Sequence, residues 1–206
     1  MTAPTRYPIP AATHRVEEEI RHSRFITTLG ICGDAAQAQD FIESVRREFP
    51  DATHHCWAFV GGPPGTTAQV GLSDDGEPHG TAGRPMLNVL LHAAVGEIVA
   101  VVTRFYGGVK LGKGGLSRAY AGGVKKALAN LPLKRKIAYR SAKIMLDYSH
   151  VTGFRQLTEK WEAELAGEDY ALDASFSLRV PQDCALAFER DLATLTGGGA
   201  ILTWQD

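Results

Sequence analysis

Two stretches hold the residues best suited to chemistry. The first runs Ser73-Asp74-Asp75-Gly76-Glu77-Pro78-His79-Gly80-Thr81-Ala82-Gly83-Arg84 and gathers three carboxylates, a histidine and an arginine. Carboxylates beside a histidine suit metal-assisted or general acid–base chemistry. The same residue types also hold turns, because Asp bonds its own backbone and glycine supplies unusual φ angles. Turn chemistry is the favoured reading of Asp74, Asp75, Glu77, His79 and Arg84, since no second ligand cluster stands at helical or strand spacing. No metal and no cofactor is expected.

The second stretch runs from Arg104 to Lys125 and contains Gly107, Gly108, Gly112, Gly114 and Gly115. Such glycines let backbone N–H groups converge on one point, and the helix expected to follow offers its own N-terminal N–H groups there. Lys110, Lys113 and Arg118 add positive charge. This is phosphate-binding chemistry. It matches neither GxxxxGK[ST] nor GxGxxG, so nucleotide hydrolysis gains no support. A tight strand-to-helix connection needing positive φ is the alternative.

The charge pattern reinforces the first of these readings. From Ile98 to Leu146 there is no acidic residue, against eleven basic ones, which include Arg104, Lys110, Lys113, Arg118 and Lys125. From Asp147 onward the sign reverses, with eleven Asp and Glu against four Lys and Arg. A basic block within a chain of net charge −1 is the footprint of a site for a polyanion, or else a solvated helix face. Phe105 and Tyr106 flank the glycine loop, where they either stack on bases or serve as core. His54, His55 and Cys56 are consecutive. Strand alternation points His55 away from the other two, which argues against one shared metal.

The elements that must position these residues follow from periodicity. Val16–Ile31 reads as extended. Asp34 caps a helix to Phe49, and His55–Val60 is a strand. A short helix starts at Pro85, followed by a buried strand Glu97–Phe105. The helix after the glycine loop ends at Pro132. From Lys134 the order is βαββαβ, the split-βαβ, ferredoxin-like arrangement. The fold class is therefore α+β, with one domain over residues 1–133 and a second over 134–206. Residues 1–12 read as an arm without the apolar stretch of a signal peptide. Three scattered cysteines suit a reducing cytoplasm, and no apolar run reaches membrane-span length.

Ser73–Leu87 (SDDGEPHGTAGRPML) and Val101–Tyr120 (VVTRFYGGVKLGKGGLSRAY) closely resemble the YigZ/IMPACT family. His22–Ile26 and Asp51–Val60 match it as well. The resemblance implies a first domain like the second domain of a small-subunit ribosomal protein and like domain IV of elongation factor G. It implies a second, ferredoxin-like domain similar to domain V of that factor. It further implies a role in translational regulation and a nucleic-acid partner. No established active site comes with it.

The expectation is a non-enzymatic protein that engages RNA or the ribosome. Arg104, Lys110, Lys113, Arg118 and Lys125 would contact phosphates. One alternative is an enzyme acting on a small phosphorylated or nucleotide substrate between the Asp74–Glu77 and Gly107–Gly115 loops. Another is a protein-interaction module working through an apolar face of the C-terminal domain.

Overall fold

The structure is a computed structural model and describes residues 4–205. It is mixed α and β, and every sheet pairing with a described register is antiparallel. The chain divides into two compact units, Met1–Lys136 and Ile137–Asp206.

The first unit is built on a five-stranded sheet in the order β2-β3-β6-β4-β5. The strands are β2 (His14–Ile20), β3 (Ser23–Ile31), β4 (His54–Val60), β5 (Val70–Ser73) and β6 (Ile98–Phe105). Helix α1 (Ala35–Glu48) covers one face, burying Ala38, Ile42 and Val45 against Val99 and Val101. Helices α2 (Gly83–Leu91) and α3 (Lys113–Ala129) cover the other, packing Met86, Leu90, Tyr120 and Val124 against Phe25, Ala100 and Val102. Helices on both faces explain why the central strand β6 is apolar at successive positions although the sheet is antiparallel. Asp34 caps α1 as its sequence suggests, its side chain accepting from the Gln37 N–H at 2.8 Å.

Some elements differ from the periodicity reading. The extended Val16–Ile31 segment is a hairpin, bent at Arg21 and His22, which both take positive φ. Residues expected to form an arm include a strand, β1 (Arg6–Pro10), paired with β7 (Leu133–Ile137). That pairing draws Leu133–Lys136 into the first unit, so the division falls after Lys136 rather than near Pro132.

The second unit contains β8 (Tyr139–Leu146), α4 (Val151–Lys160), β9 (Glu164–Tyr170), β10 (Ala174–Pro181), α5 (Ala185–Thr196) and β11 (Ile201–Gln205). Its sheet order, β11-β8-β10-β9, interleaves two split β-α-β units. Phe154, Phe176 and Phe188 centre its core, with the first two rings 4.6 Å apart. Helix α4 stops at Lys160, although apolar residues at helical spacing, Phe154, Leu157, Trp161 and Leu165, predict a helix over Thr152–Leu165; Leu165 lies instead in the exposed edge strand β9.

The opposite face of this sheet is open. Cross-strand neighbours there are Lys143, Ser177 and Thr203, then Met145, Ser175 and Ile201. Polar residues interleave with the two apolar ones, which gives little support to a continuous apolar docking face.

Candidate functional site

In the first unit the acidic loop is held by its own carboxylates. Asp74 accepts from the N–H groups of Gly80 (2.7 Å), Gly83 (2.9 Å) and Ala82 (3.0 Å), so it caps α2 from outside the helix. Burial raises its pKa. The three backbone donors outweigh that, and the carboxyl sits below the usual aspartate range. Asp75, at φ 41°, accepts from the His55 N–H at 2.6 Å and from Arg46 at 2.9 Å. His54 Nδ1 donates to the Asp75 carbonyl at 2.7 Å. His79 and Arg84 are exposed.

Glu77 is different, because its side chain is only 3% exposed. One carboxylate oxygen accepts from Arg104 Nη1 at 2.5 Å and from the Tyr120 hydroxyl at 2.7 Å. Arg104 also donates to Ser23 Oγ at 3.3 Å, and its guanidinium lies about 5 Å from the Phe25 and Tyr106 rings. Burial and the neighbouring Cys56 and Glu77 push the Tyr120 hydroxyl far above its ordinary pKa, so it stays a donor.

Arg104 therefore requires a correction. Expected among the surface phosphate contacts, it is buried beneath the acidic loop. Strand parity carried the signal: Arg104 follows Ala100 and Val102 onto the α2/α3 face of β6. Ser23 and Tyr120 were missed as site residues. Tyr120 has the spacing of an apolar helix face, and only the fold brings its hydroxyl to Glu77.

The glycine loop meets this buried pair across a cleft of about 480 Å³. Its lining includes His54, Glu77, Arg104, Tyr106, Lys110 and Lys113. Helix α3 begins there just after Gly112, whose φ of 74° suits glycine, and no side chain caps its first turn. Gly108, Gly112 and Gly114 are exposed. Gly107 instead packs against the β2–β3 hairpin, and Gly115 sits over Leu111.

The remaining candidates disperse. Arg118 lines a second groove with Glu18 and Arg21, and Lys125 a third, apolar groove between α2 and α3. Of the exposed basic candidates, Lys110 and Lys113 share the cleft with the acidic-loop residue Glu77. His55 and Cys56 diverge, His55 toward Phe49 and Cys56 into the α2/α3 core. Among the described residues no group of three His, Cys, Asp or Glu could hold a metal ion.

Residues 21–128 match the model of the Impact N-terminal domain, a span that contains both loops. The chain belongs to the IMPACT family. It is 44% identical over 94% of its length to the IMPACT family member YigZ of Escherichia coli K12, covering 95% of that protein. It is 34% identical to the family member YvyE of Bacillus subtilis 168, over 87% of this chain and 82% of that one. A crystal structure described as that of a hypothetical protein covers 98% of both chains at 42% identity, with a TM-score of 0.71. Among the described residues no helix is long and apolar enough to cross a membrane.

In this IMPACT family member the folded core constrains a histidine as well as the carboxylates. His55 Nε2 faces the Phe49 carbonyl at 3.1 Å and so carries the proton, leaving Nδ1 to accept from Thr103. Burial lowers the His55 pKa below its ordinary 6.5. A depressed base favours the neutral, folded state, so stability is full above pH 6.5 and declines as pH falls through that value. Asp74 adds a second decline below its ordinary 3.8, where the unfolded chain takes up a proton before the folded one does. Thermal unfolding between pH 7.5 and 5 is expected to show the first decline, and H55Q to shrink it. An undiminished decline in H55Q would place the titration at another group.

Proposed function

We propose that the protein binds RNA, free or within the ribosome, through the first unit, and that it thereby modulates translation without itself catalysing a reaction. The observation that carries this reading is the uncapped start of α3, opening beside Lys110 and Lys113 onto a cleft edged by the half-exposed Tyr106. Helix N-termini and lysines favour phosphate, and an exposed ring favours a base. Arg118 and Lys125 extend positive charge along the exposed side of α3. The likeness of the two units to domains IV and V of elongation factor G, and of the first to a ribosomal protein's second domain, belongs to this proposal and gives it a translational setting. So does a place in the cytoplasm.

The catalytic alternative uses the same cleft with a small phosphorylated or nucleotide substrate. It needs a carboxylate free to move a proton. Asp74 and Asp75 are engaged in turn and cap bonds, and Glu77 is held by Arg104 and Tyr120. Those engagements favour binding over catalysis.

The test is RNA affinity as a function of salt. Substituting Lys110, Lys113 and Arg118 together with alanine is expected to weaken binding of a single-stranded oligoribonucleotide. It is also expected to reduce the slope of log K against log salt by about 2, near 0.7 for each phosphate contact removed. Affinity and slope equal to those of the unaltered protein would overturn the assignment.

A further inference from the structure

We propose that the cleft takes a single unpaired nucleotide, with its phosphate at the N-terminus of α3 beside Lys110 and Lys113 and its base on Tyr106. The inference deepens the RNA reading above and rests on it where the nucleotide belongs to a strand. Four independent features converge on it.

The first is size. A cleft of about 480 Å³ lies in the range of small-ligand sites and has no room for a duplex. The second is the helix end. Helix α3 is 17 residues long, has no acidic residue in its first turn and no side chain capping it, so its first N–H groups and its dipole favour an anion. The third is an orphan donor. Arg104 lines the cleft with its side chain 95% buried, and its Nε has no hydrogen-bond acceptor. A buried donor left unmatched is costly, and an acceptor brought in with a ligand would relieve it. The fourth is Tyr106, 45% exposed, with its ring 5.2 Å from the Arg104 guanidinium. The same side chain can therefore present a π-face to a base.

Charge at the cleft is consistent with an anionic ligand. Glu77 is the one carboxylate in the lining, and its Oε1 is occupied by Arg104 and Tyr120. Leu111, Leu116 and Pro78 supply apolar wall for a sugar and the edge of a base. Any of the four bases has a face to stack, so a strong base preference is not expected.

Three probes test the inference: adenosine 5′-monophosphate, adenosine, and a five-nucleotide oligoribonucleotide. The expected result is that the monophosphate binds and competes with the oligonucleotide, while adenosine binds at least tenfold more weakly. The amide resonances of Lys113–Leu116 should shift on binding. Y106A should lose about tenfold in affinity for both monophosphate and oligonucleotide, and Y106F should stay within about twofold of the unaltered protein.

The outcomes separate the two readings. An oligonucleotide that binds, with Y106A harmless and no competition by the monophosphate, overturns the single-nucleotide cleft and leaves RNA binding standing. Monophosphate binding without oligonucleotide binding supports the cleft, with a free nucleotide as its source, and overturns the RNA reading. If neither binds, both fall.

Discussion

Replacing Glu77 with alanine is expected to destabilise the first unit by about 3–5 kcal/mol, the range for breaking a buried ion pair and stranding its partner. The stranded groups are Arg104, with its side chain 5% exposed, and the Tyr120 hydroxyl, which loses its acceptor. Arg104 would keep only Ser23 Oγ, at 3.3 Å, as a polar partner in this network. The measurement is urea unfolding followed at Trp57, in a background where Trp161 and Trp204 are phenylalanine, so that the signal comes from the first unit. The double variant E77L/R104M should recover part of the loss, because replacing both charges removes two desolvation penalties together. A loss below about 1 kcal/mol for E77A would mean that water enters and solvates Arg104, at odds with its burial. The same pair also joins the acidic loop to β6. E77A should therefore weaken ligand binding at the cleft even at temperatures where the unit stays folded.

Substituting Gly107 with alanine is the second large effect, and it acts through contact rather than through charge. A Cβ at Gly107 would lie 1.8 Å from the His22 carbonyl oxygen and 2.6 Å from the Ser23 nitrogen. Both are backbone atoms of the β2–β3 hairpin, so no side chain can rotate away. The glycine loop must separate from the hairpin. That breaks the Gly107 N–H bond to Ser23 Oγ and strains the Arg24–Phe105 end of the β3–β6 ladder. Overpacking a core typically costs about 1–3 kcal/mol, and a backbone-to-backbone clash belongs at or above the top of that range. The displaced loop carries Lys110 and Lys113, so affinity for RNA should fall with stability. Gly122 provides the contrast. It lies within α3 with open space where its Cβ would be, and G122A should stabilise by about 0.5–1 kcal/mol. Equal behaviour of G107A and G122A would show that the hairpin does not press on the loop.

Much of this protein was legible in its residues. Asp34 announced α1, and the β-branched run Ile98–Val102 announced a buried strand. The order of elements from Lys134 onward announced two split β-α-β units. Both motifs were visible, as was the excess of lysine and arginine from Ile98 to Leu146. These features are local: capping, periodicity and composition act within one element and can be read along the chain. The roles of Glu77 and Arg104 were not legible. They stand 27 residues apart, in segments that read separately as a turn and as a phosphate contact. The antiparallel ladders β3–β6, β6–β4 and β4–β5, with α3 packed on the sheet, bring Glu77, Arg104, Ser23 and Tyr120 to one buried point. Arg118 and Lys125 show the converse, since one helix carries both and yet they line different grooves. The sequence by itself determined the helices, most of the strands and the places where glycine and charge concentrate. Tertiary structure decided which charges neutralise one another inside and which face the cleft, because desolvation and ion pairing depend on neighbours that the chain supplies from far away.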